Sequence, residues 1–548
     1  MNLLNKIKQN KLTSIMLFLF SILFIYLFVE CFVFSSSFEC TVFKSIDDTA
    51  FNEAMNSFQY YLKRIHLSKL LNFNEYAYGW IFWAINGIAT FPFYLIKSEP
   101  LTIAGARILE LLFSFGTLYL LYKIAGNYTK NAFYKWAVII PTALSEFFIT
   151  YAISFDTTSM MRFFGVLSVY FILKNKELTN KNIIFSAISL AAVAGVKLTG
   201  IFFMPIVGFL ALNKIEYKLN KENLKKIGIY FLVFIPCFIL FTNPGLFLFF
   251  VYKEKVKAFF ELYGYFLFEY SKRNIGLVAE NSSVWNLIYK GCIERFYLLI
   301  PTCVFLILAF CQSINGIKRK KYDFLIIHAF TLLAILYFAL TIKIGAIYIA
   351  KYTGVMIIFL PLSLIYFEKF KKTGMILTSL ILIFLLSSSF FNKYTPDILP
   401  SKKTITSNAF NREFAKNKLY KEIGYFDLYN DLKQIITKKE NETTFIISDY
   451  RIPCIFGKRK DICRILTFDN FSQLKDMINF TADYILIHKN TPAFSDDDEI
   501  KKTYKNSEEI LADKKLYKEI IKTKKFKNVQ YEKIYDKYNV SVYKKKGF

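Results

Sequence analysis

Histidine is scarce in this chain, three in 548 residues, and none of its eight cysteines falls in a C-x-x-C pair. That leaves no pattern for a zinc site or a thiol redox motif. His66, His328 and His488 are isolated and read as structural residues. Cys454 and Cys463 either pair in an oxidising compartment or stay as two free buried thiols. No internal repeat is evident, so the two-halved signature of many transporters is missing. Acids are the minority charge, 42 against 70 Lys and Arg, for a net charge of +28. The cations cluster in short connections between apolar blocks, where they set orientation and meet anionic lipid, so nucleic acid is not an expected partner.

Apolar residues are abundant, with 54% hydrophobic and 19% aromatic, much of it in membrane-length blocks. The chain is therefore a polytopic membrane protein. Residues 12–34 follow Lys6, Lys8 and Lys11, exceed a signal-peptide core and lack a small-residue cleavage site. They read as an uncleaved anchor with the N-terminus inside. Further blocks fall near 77–96, 103–124, 133–152, 158–174, 182–196, 199–213, 227–242, 296–313, 323–341, 350–367 and 374–391. If 77–96 crosses the membrane, the basic connections 174–182, 214–226, 318–321 and 368–372 all lie outside. If it is re-entrant or interfacial they all lie inside, as the positive-inside rule prefers. The second arrangement gives about eleven spans. It places loop 35–76, Asp156, the tip at Lys197, loop 243–295 and everything beyond 391 on the external face.

Residues 1–391 thus form a transmembrane module, and 392–548 form a small external α/β domain with apolar runs at 444–449, 463–468 and 483–489. In the stretch from Asp48 to His66, Phe51, Ala54, Met55, Phe58, Leu62 and Ile65 make one helical stripe, the pattern of an amphipathic helix on the membrane surface.

An ionised carboxylate costs roughly 2.5–3.5 kcal/mol at a helix centre on insertion scales, so acids beside apolar spans face water or a site. Asp47 and Asp48 follow the first span, and Asp156 sits at the junction of two later ones. Asp48 also fits a capping box with Ser45, and Asp156 fits a helix N-cap before Thr157. Arg107 and Glu110, three apart on one helical face, read as a salt bridge or as pocket residues. Arg162 lacks an obvious partner, Lys197 interrupts an apolar run, and Lys343 and Lys351 flank an external loop. Arg162, Lys197 and Lys351 are the candidates for holding a lipid-linked phosphate. No metal site is evident; only the carboxylates offer a divalent cation a place.

The ordered set SIDDTAFNEA, YAYGWIFWAI, AGARILELL, SFDTTSMMRFF and GVKLTG resembles the GT-C glycosyltransferases that use polyprenyl-phosphate sugars, including protein O-mannosyltransferases and the aminoarabinose lipid A transferase. The resemblance covers residues 12–213 in order. It implies sugar transfer in the cell membrane, from a polyprenyl-phosphate donor to a lipid, glycan or protein acceptor. It also implies Asp47 or Asp48 as general base and Asp156 as the acid of the second external loop. This chain has Asp-Asp where the family usually has Asp-Glu, which leaves open which aspartate is the base, and its tip reads Lys-Leu-Thr-Gly, a departure that bears on the role of Lys197. A lipid or glycan flippase is the alternative. It places polar groups at mid-membrane on broken helices.

Overall fold

A computed structural model describes residues 2–36, 46–73, 78–96, 99–218, 220–248, 250–251, 253–264, 285, 288–289, 293, 296–341, 354, 356–391, 431–432, 434–436, 444–448, 463–467, 482–489, 492–503 and 507–547. The chain divides into two compact units, one of residues 1–36, 57–267 and 282–409, the other of 37–56, 268–281 and 410–548.

The first unit is helical. Its elements are α1 (Asn2–Ser36), the latter part of α2 (Ile46–Lys63), α3 (Trp80–Leu95), α4 (Glu99–Gly126), α5 (Ala132–Leu144), α6 (Glu146–Ala152), α7 (Thr157–Leu173), α8 (Asn180–Val196), α9 (Phe203–Lys214), α10 (Lys221–Thr242), α11 (Leu299–Lys318), α12 (Asp323–Thr341) and α13 (Lys371–Phe391). Five stretches, Lys11–Phe32, Leu101–Gly126, Lys221–Thr242, Leu299–Lys318 and Ile357–Ser387, are long and apolar enough to cross a membrane. This is a multi-pass membrane protein. Half of the apolar window in α4 is covered by protein, against 6% in α10, so α4 is central and α10 leaves its apolar surface to lipid.

Two spans depart from regular α-helix. The block expected at 133–152 breaks at Ser145, whose Oγ accepts the Phe148 N–H at 3.2 Å and caps α6. Residues Ile357–Phe370, 14 in all, form a 3₁₀-helix. At about 2.0 Å of rise per residue that covers about 28 Å, close to a hydrocarbon core of about 30 Å.

Helix direction follows from paired contacts. Ser114 on α4 meets Ser159 on α7 at 2.9 Å, and at the far ends Asn127 Nδ2 donates to Leu173 O at 3.0 Å, so α4 and α7 run in parallel. At that far end Tyr128 and Asn213 both donate to Asp323, at 3.0 and 2.7 Å, and Thr129 donates to Glu368 at 2.9 Å. The connections after α7, α9, α11 and the 3₁₀-helix therefore gather at one end, and they are the lysine-rich ones. In α1, Phe20 packs on Trp136 and Phe24 on Phe115, which aims the N-terminal lysines at the same end.

Helix α3 does not leave the opposite end. Its start lies against the end of α8, with Tyr78 bridging Lys197 and the Gly79 N–H reaching Val196 O at 3.4 Å. Its later turns pack on Gly105, one and a half turns before Glu110, where a Cβ would come within 3.0 Å of Thr90 and 3.1 Å of Phe93. The crossing at Gly79 admits no side chain, since a Cβ there would lie 1.6 Å from Gly195 O.

The apolar stripe of α2 is covered by protein. Phe51, Ala54, Met55 and Phe58 are buried, and Phe58 packs edge-on against Phe73 and touches Gly87 of α3. Leu62 is partly exposed, and Ile65, 74% exposed, is left to solvent or lipid. The expected membrane-surface helix is corrected on this point, because the stripe has a protein partner to bury it.

The second unit contains a six-stranded sheet. Its strands are β1 (Thr444–Ser448), β2 (Cys463–Thr467), β3 (Tyr484–His488), β4 (Lys525–Phe526), β5 (Val529–Lys537) and β6 (Val540–Lys545), in the order β2-β1-β3-β6-β5-β4. Strand β1 pairs in parallel with β2 and β3, and the remaining pairings are antiparallel. Both faces are buried. Ile485 and Ile487 pack with Leu516, Tyr517 and Ile520 of α14 (Ser507–Thr523), and Tyr484 and Leu486 pack with Leu432 and Ile436. Burial on both sides explains why the first three strands read as continuous apolar runs. Tyr538 and Asn539, with φ of 52° and 58°, make the two-residue turn of the β5–β6 hairpin.

Candidate functional site

The end of the helical unit away from the lysine-rich connections is built on the first turn of α7. Four N–H groups at the start of any α-helix lack intrahelical partners. Asp156 caps this one, its Oδ1 accepting the Thr158 N–H at 2.8 Å and also the Thr158 hydroxyl. Glu110 takes another of these donors, Oε2 accepting the Met160 N–H at 3.2 Å. Two acids from distant segments thus share one helix start, where the helix dipole favours negative charge. Both are buried.

The salt bridge expected between Arg107 and Glu110 is not made. Glu110 turns to the neighbouring helix, its electrostatic neighbours being Asp156, Asn86 and Arg162. The physical reason is competition, because an unsatisfied backbone donor buried in a bundle is costly and Glu110 is placed to satisfy it. Arg107 is itself fully buried.

Arg162 lies one turn into α7 with none of its surface exposed. Its Nη2 donates to Ser114 Oγ at 3.1 Å and Ser159 Oγ at 3.3 Å, and the guanidinium stacks on Phe148 at 4.6 Å. Ser159 in turn donates to Tyr151 O at 2.8 Å. Such enclosure argues against direct contact with a donor phosphate. Nε and Nη1 of Arg162, Oε1 of Glu110, Oδ1 of Asn86 and Oγ1 of Thr157 are buried without hydrogen-bond partners.

Lys197 closes α8 and joins this end through aromatic side chains. Its Nζ lies 5.3 Å from the Tyr78 ring centre, Tyr78 is 6.3 Å from Phe82, and Phe82 stacks on Phe155 at 5.7 Å, next to Asp156. Beyond Lys197 the chain lines an apolar groove of about 460 Å³ with Ile201, Met204, Pro205, Gly208 and Leu212 among its walls.

Residues 66–260 match the family model of the dolichyl-phosphate-mannose-protein mannosyltransferases. The fold is that of ArnT from Cupriavidus metallidurans in the apo state, with a TM-score of 0.50 at 10% identity over 90% of this chain and 92% of that one. Residues 66–260 thus resemble that family's model, and the fold of the chain as a whole is of the ArnT kind. Two other solved structures are similar at lower score. ArnT from the same organism bound to undecaprenyl phosphate has a TM-score of 0.44 at 11% identity, over 84% of this chain and 86% of that one. The Archaeoglobus fulgidus oligosaccharyltransferase in the apo form has a TM-score of 0.45 at 11% identity, over 87% and 70%. No curated protein sequence matches.

The structure brings Asp156, Glu110 and Arg162 together at the start of α7, with Lys197 linked to them through the Tyr78, Phe82 and Phe155 rings and Arg107 one helical turn before Glu110 on α4. The side chains of Asp47 and Asp48 lie outside the described residues, as do Ser45, Lys343, Lys351 and the side chains of Cys454 and Cys463. Among the described residues no group of three His, Cys, Asp or Glu side chains is placed to hold a metal ion. Sequence reasoning missed Ser114, Ser159 and Asn86. Ser114 and Ser159 lie 45 residues apart in sequence, and no local pattern links them.

Proposed function

We propose that this chain moves a sugar from a polyprenyl-phosphate donor to a hydroxyl of a lipid, glycan or protein acceptor, on the external face of the cytoplasmic membrane. The observation that carries the reading is the sorting of charge along the helical unit. The lysine-rich connections occupy one end, and Asp156, Glu110 and Lys197 occupy the other. By the positive-inside rule the lysine-rich end is cytoplasmic, which leaves the acids and the Lys197 tip outside. The C-terminal sheet unit follows α13 and is external in the same topology.

In this mechanism Asp47 or Asp48 takes the proton of the acceptor hydroxyl. The acceptor oxygen forms a bond to the anomeric carbon as the bond from that carbon to the phosphate oxygen breaks. The electron pair leaves with the polyprenyl phosphate, already a good leaving group, so cations serve it better than an acid. Lys197 and Lys351 grip the phosphate, while Arg162 contributes a fixed buried charge from within α7. Asp156 positions the acceptor or orients a cation. The apolar groove that begins four residues after Lys197 suits the polyprenyl chain, with headgroup and tail then following the order of the sequence.

The test is an in vitro transfer assay with polyprenyl-phosphate sugars, comparing wild type with Asp47→Asn, Asp48→Asn and Asp156→Asn. Loss of turnover in Asp156→Asn and in at least one of the pair is expected. Wild-type rates in all three sink the assignment.

A further inference from the structure

Glu110 is a carboxylate fully buried in a membrane span, yet the chemistry above gives it no task. Its placement is specific. Oε2 receives the Met160 N–H at 3.2 Å while Asp156 Oδ1 receives the Thr158 N–H at 2.8 Å, so the two acids divide the free donors of one helical turn. The same turn is tied again to α4 by Ser159, which meets Ser114 at 2.9 Å, and by Arg162, which donates to both serines. Three contacts between α4 and the first turns of α7 fix how far that helix is rotated and how deep it sits. Asp156 is the cap of the helix so fixed.

We propose that Glu110 is a positioning residue for Asp156, acting through the Met160 N–H rather than through its charge. The inference rests on the reading of Asp156 as a site residue. Its physical basis is that a carboxylate oxygen at 3.2 Å restrains the turn only from that distance and direction, so the length of the side chain matters more than its ionisation. A gap of about 1 Å at a reacting geometry is enough to cost on the order of 100-fold in rate.

Length and charge separate cleanly in two substitutions. Glu110→Gln keeps the side-chain length and an acceptor oxygen but removes the charge. Glu110→Asp keeps the charge but withdraws the oxygen by one methylene. Both are made in the full chain, purified in detergent or nanodiscs, checked for monodispersity and assayed for sugar transfer with Glu110→Ala and Asp156→Asn alongside. Positioning predicts that Glu110→Gln stays within about 3-fold of the wild-type kcat while Glu110→Asp falls by about 10-fold or more, each with a donor KM within about 2-fold. Glu110→Ala is expected to fall at least as far as Glu110→Asp. The opposite ranking, with Glu110→Asp active and Glu110→Gln inactive, overturns the proposal and makes the negative charge the working feature. Equal rates in wild type, Gln and Asp also overturn it. The ranking decides even if the alanine variant does not fold. Full activity in Asp156→Asn removes the reading of the site itself; an inactive Asp156→Asn beside an active Glu110→Asp removes only the positioning role.

Discussion

The two ends of the helical unit both set carboxylates among helix termini, partly buried at one end and buried at the other, and they treat them differently. At the lysine-rich end Asp323 has each oxygen matched to a neutral donor, Tyr128 on one and Asn213 on the other, and Glu368 takes Thr129. At the opposite end Glu110 Oε1, Asn86 Oδ1, Thr157 Oγ1 and two nitrogens of Arg162 are buried with no hydrogen bond. Buried polar groups are normally satisfied, and each exception asks for an explanation. Asn182 Nδ2 and His328 Nδ1 near the lysine-rich end also lack partners, so the contrast lies in the acids themselves: those of one end clamp helices together, and those of the other crowd round a single helix start. Local rules are broken where function is expected to sit.

Substitutions at the two ends sharpen this contrast. The largest effect is expected for Asp156→Asn, which should lower kcat by on the order of 10²–10⁴-fold in a transfer assay, with little change in melting temperature. Gly79→Ala comes next, since its Cβ would lie 1.6 Å from Gly195 O. Separating α3 from α8 should destabilise the protein by about 1–3 kcal/mol in thermal unfolding and displace Lys197 enough to raise the donor KM. At the other end, Asp323→Ala strips Tyr128 and Asn213 of their shared acceptor and should cost about 1–3 kcal/mol of stability while leaving kcat unchanged. If Asp323→Ala abolished transfer and Asp156→Asn spared it, the comparison would be reversed.

The smallest effect belongs to the sheet unit. Lys489, Ser541 and Lys533 hold the Asp536 carboxyl well below the usual carboxylate range, the Lys489 hydrogen bond being the largest cause. A carboxylate whose folded-state pKa is depressed adds stability above the unfolded-state value and loses it as pH falls through the folded-state value. Asp536→Asn should therefore lower the melting temperature of this unit slightly at neutral pH, and the difference from wild type should close in acid. The pair Lys489–Asp536 is partly exposed, so the effect is also expected to shrink in high salt.

Much of the architecture was legible because it is written in long-range averages. Apolar blocks separated by lysine clusters gave the helices and their sorting into two ends. The runs at 444–449, 463–468 and 483–489 became β1, β2 and β3 because strands buried on both faces carry unbroken apolar sequence. The β5–β6 hairpin was not seen. In it Tyr531 and Tyr535 are buried on opposite faces of the sheet because the register shifts between Lys533 and Tyr535, and that irregularity breaks the alternation by which a strand is read. The cap at Asp156 was legible because capping is local. The Arg162 cage was not, since Ser114 lies 48 residues away and serine in an apolar helix carries no signal of its own. The stripe of α2 was read correctly as amphipathic and assigned the wrong partner, because periodicity reports a face to be covered without saying by what.

The meeting of Gly79 with Gly195 has a consequence for how α3 is anchored. Backbone rests on backbone there, so the start of α3 is riveted to the tip that carries Lys197. The far end of α3 is held by side chains, with Thr90 and Phe93 resting against Gly105 and Gln59 donating to Thr90 at 2.8 Å. The two ends of α3 are thus fastened by different means, main chain at one and side chains alone at the other.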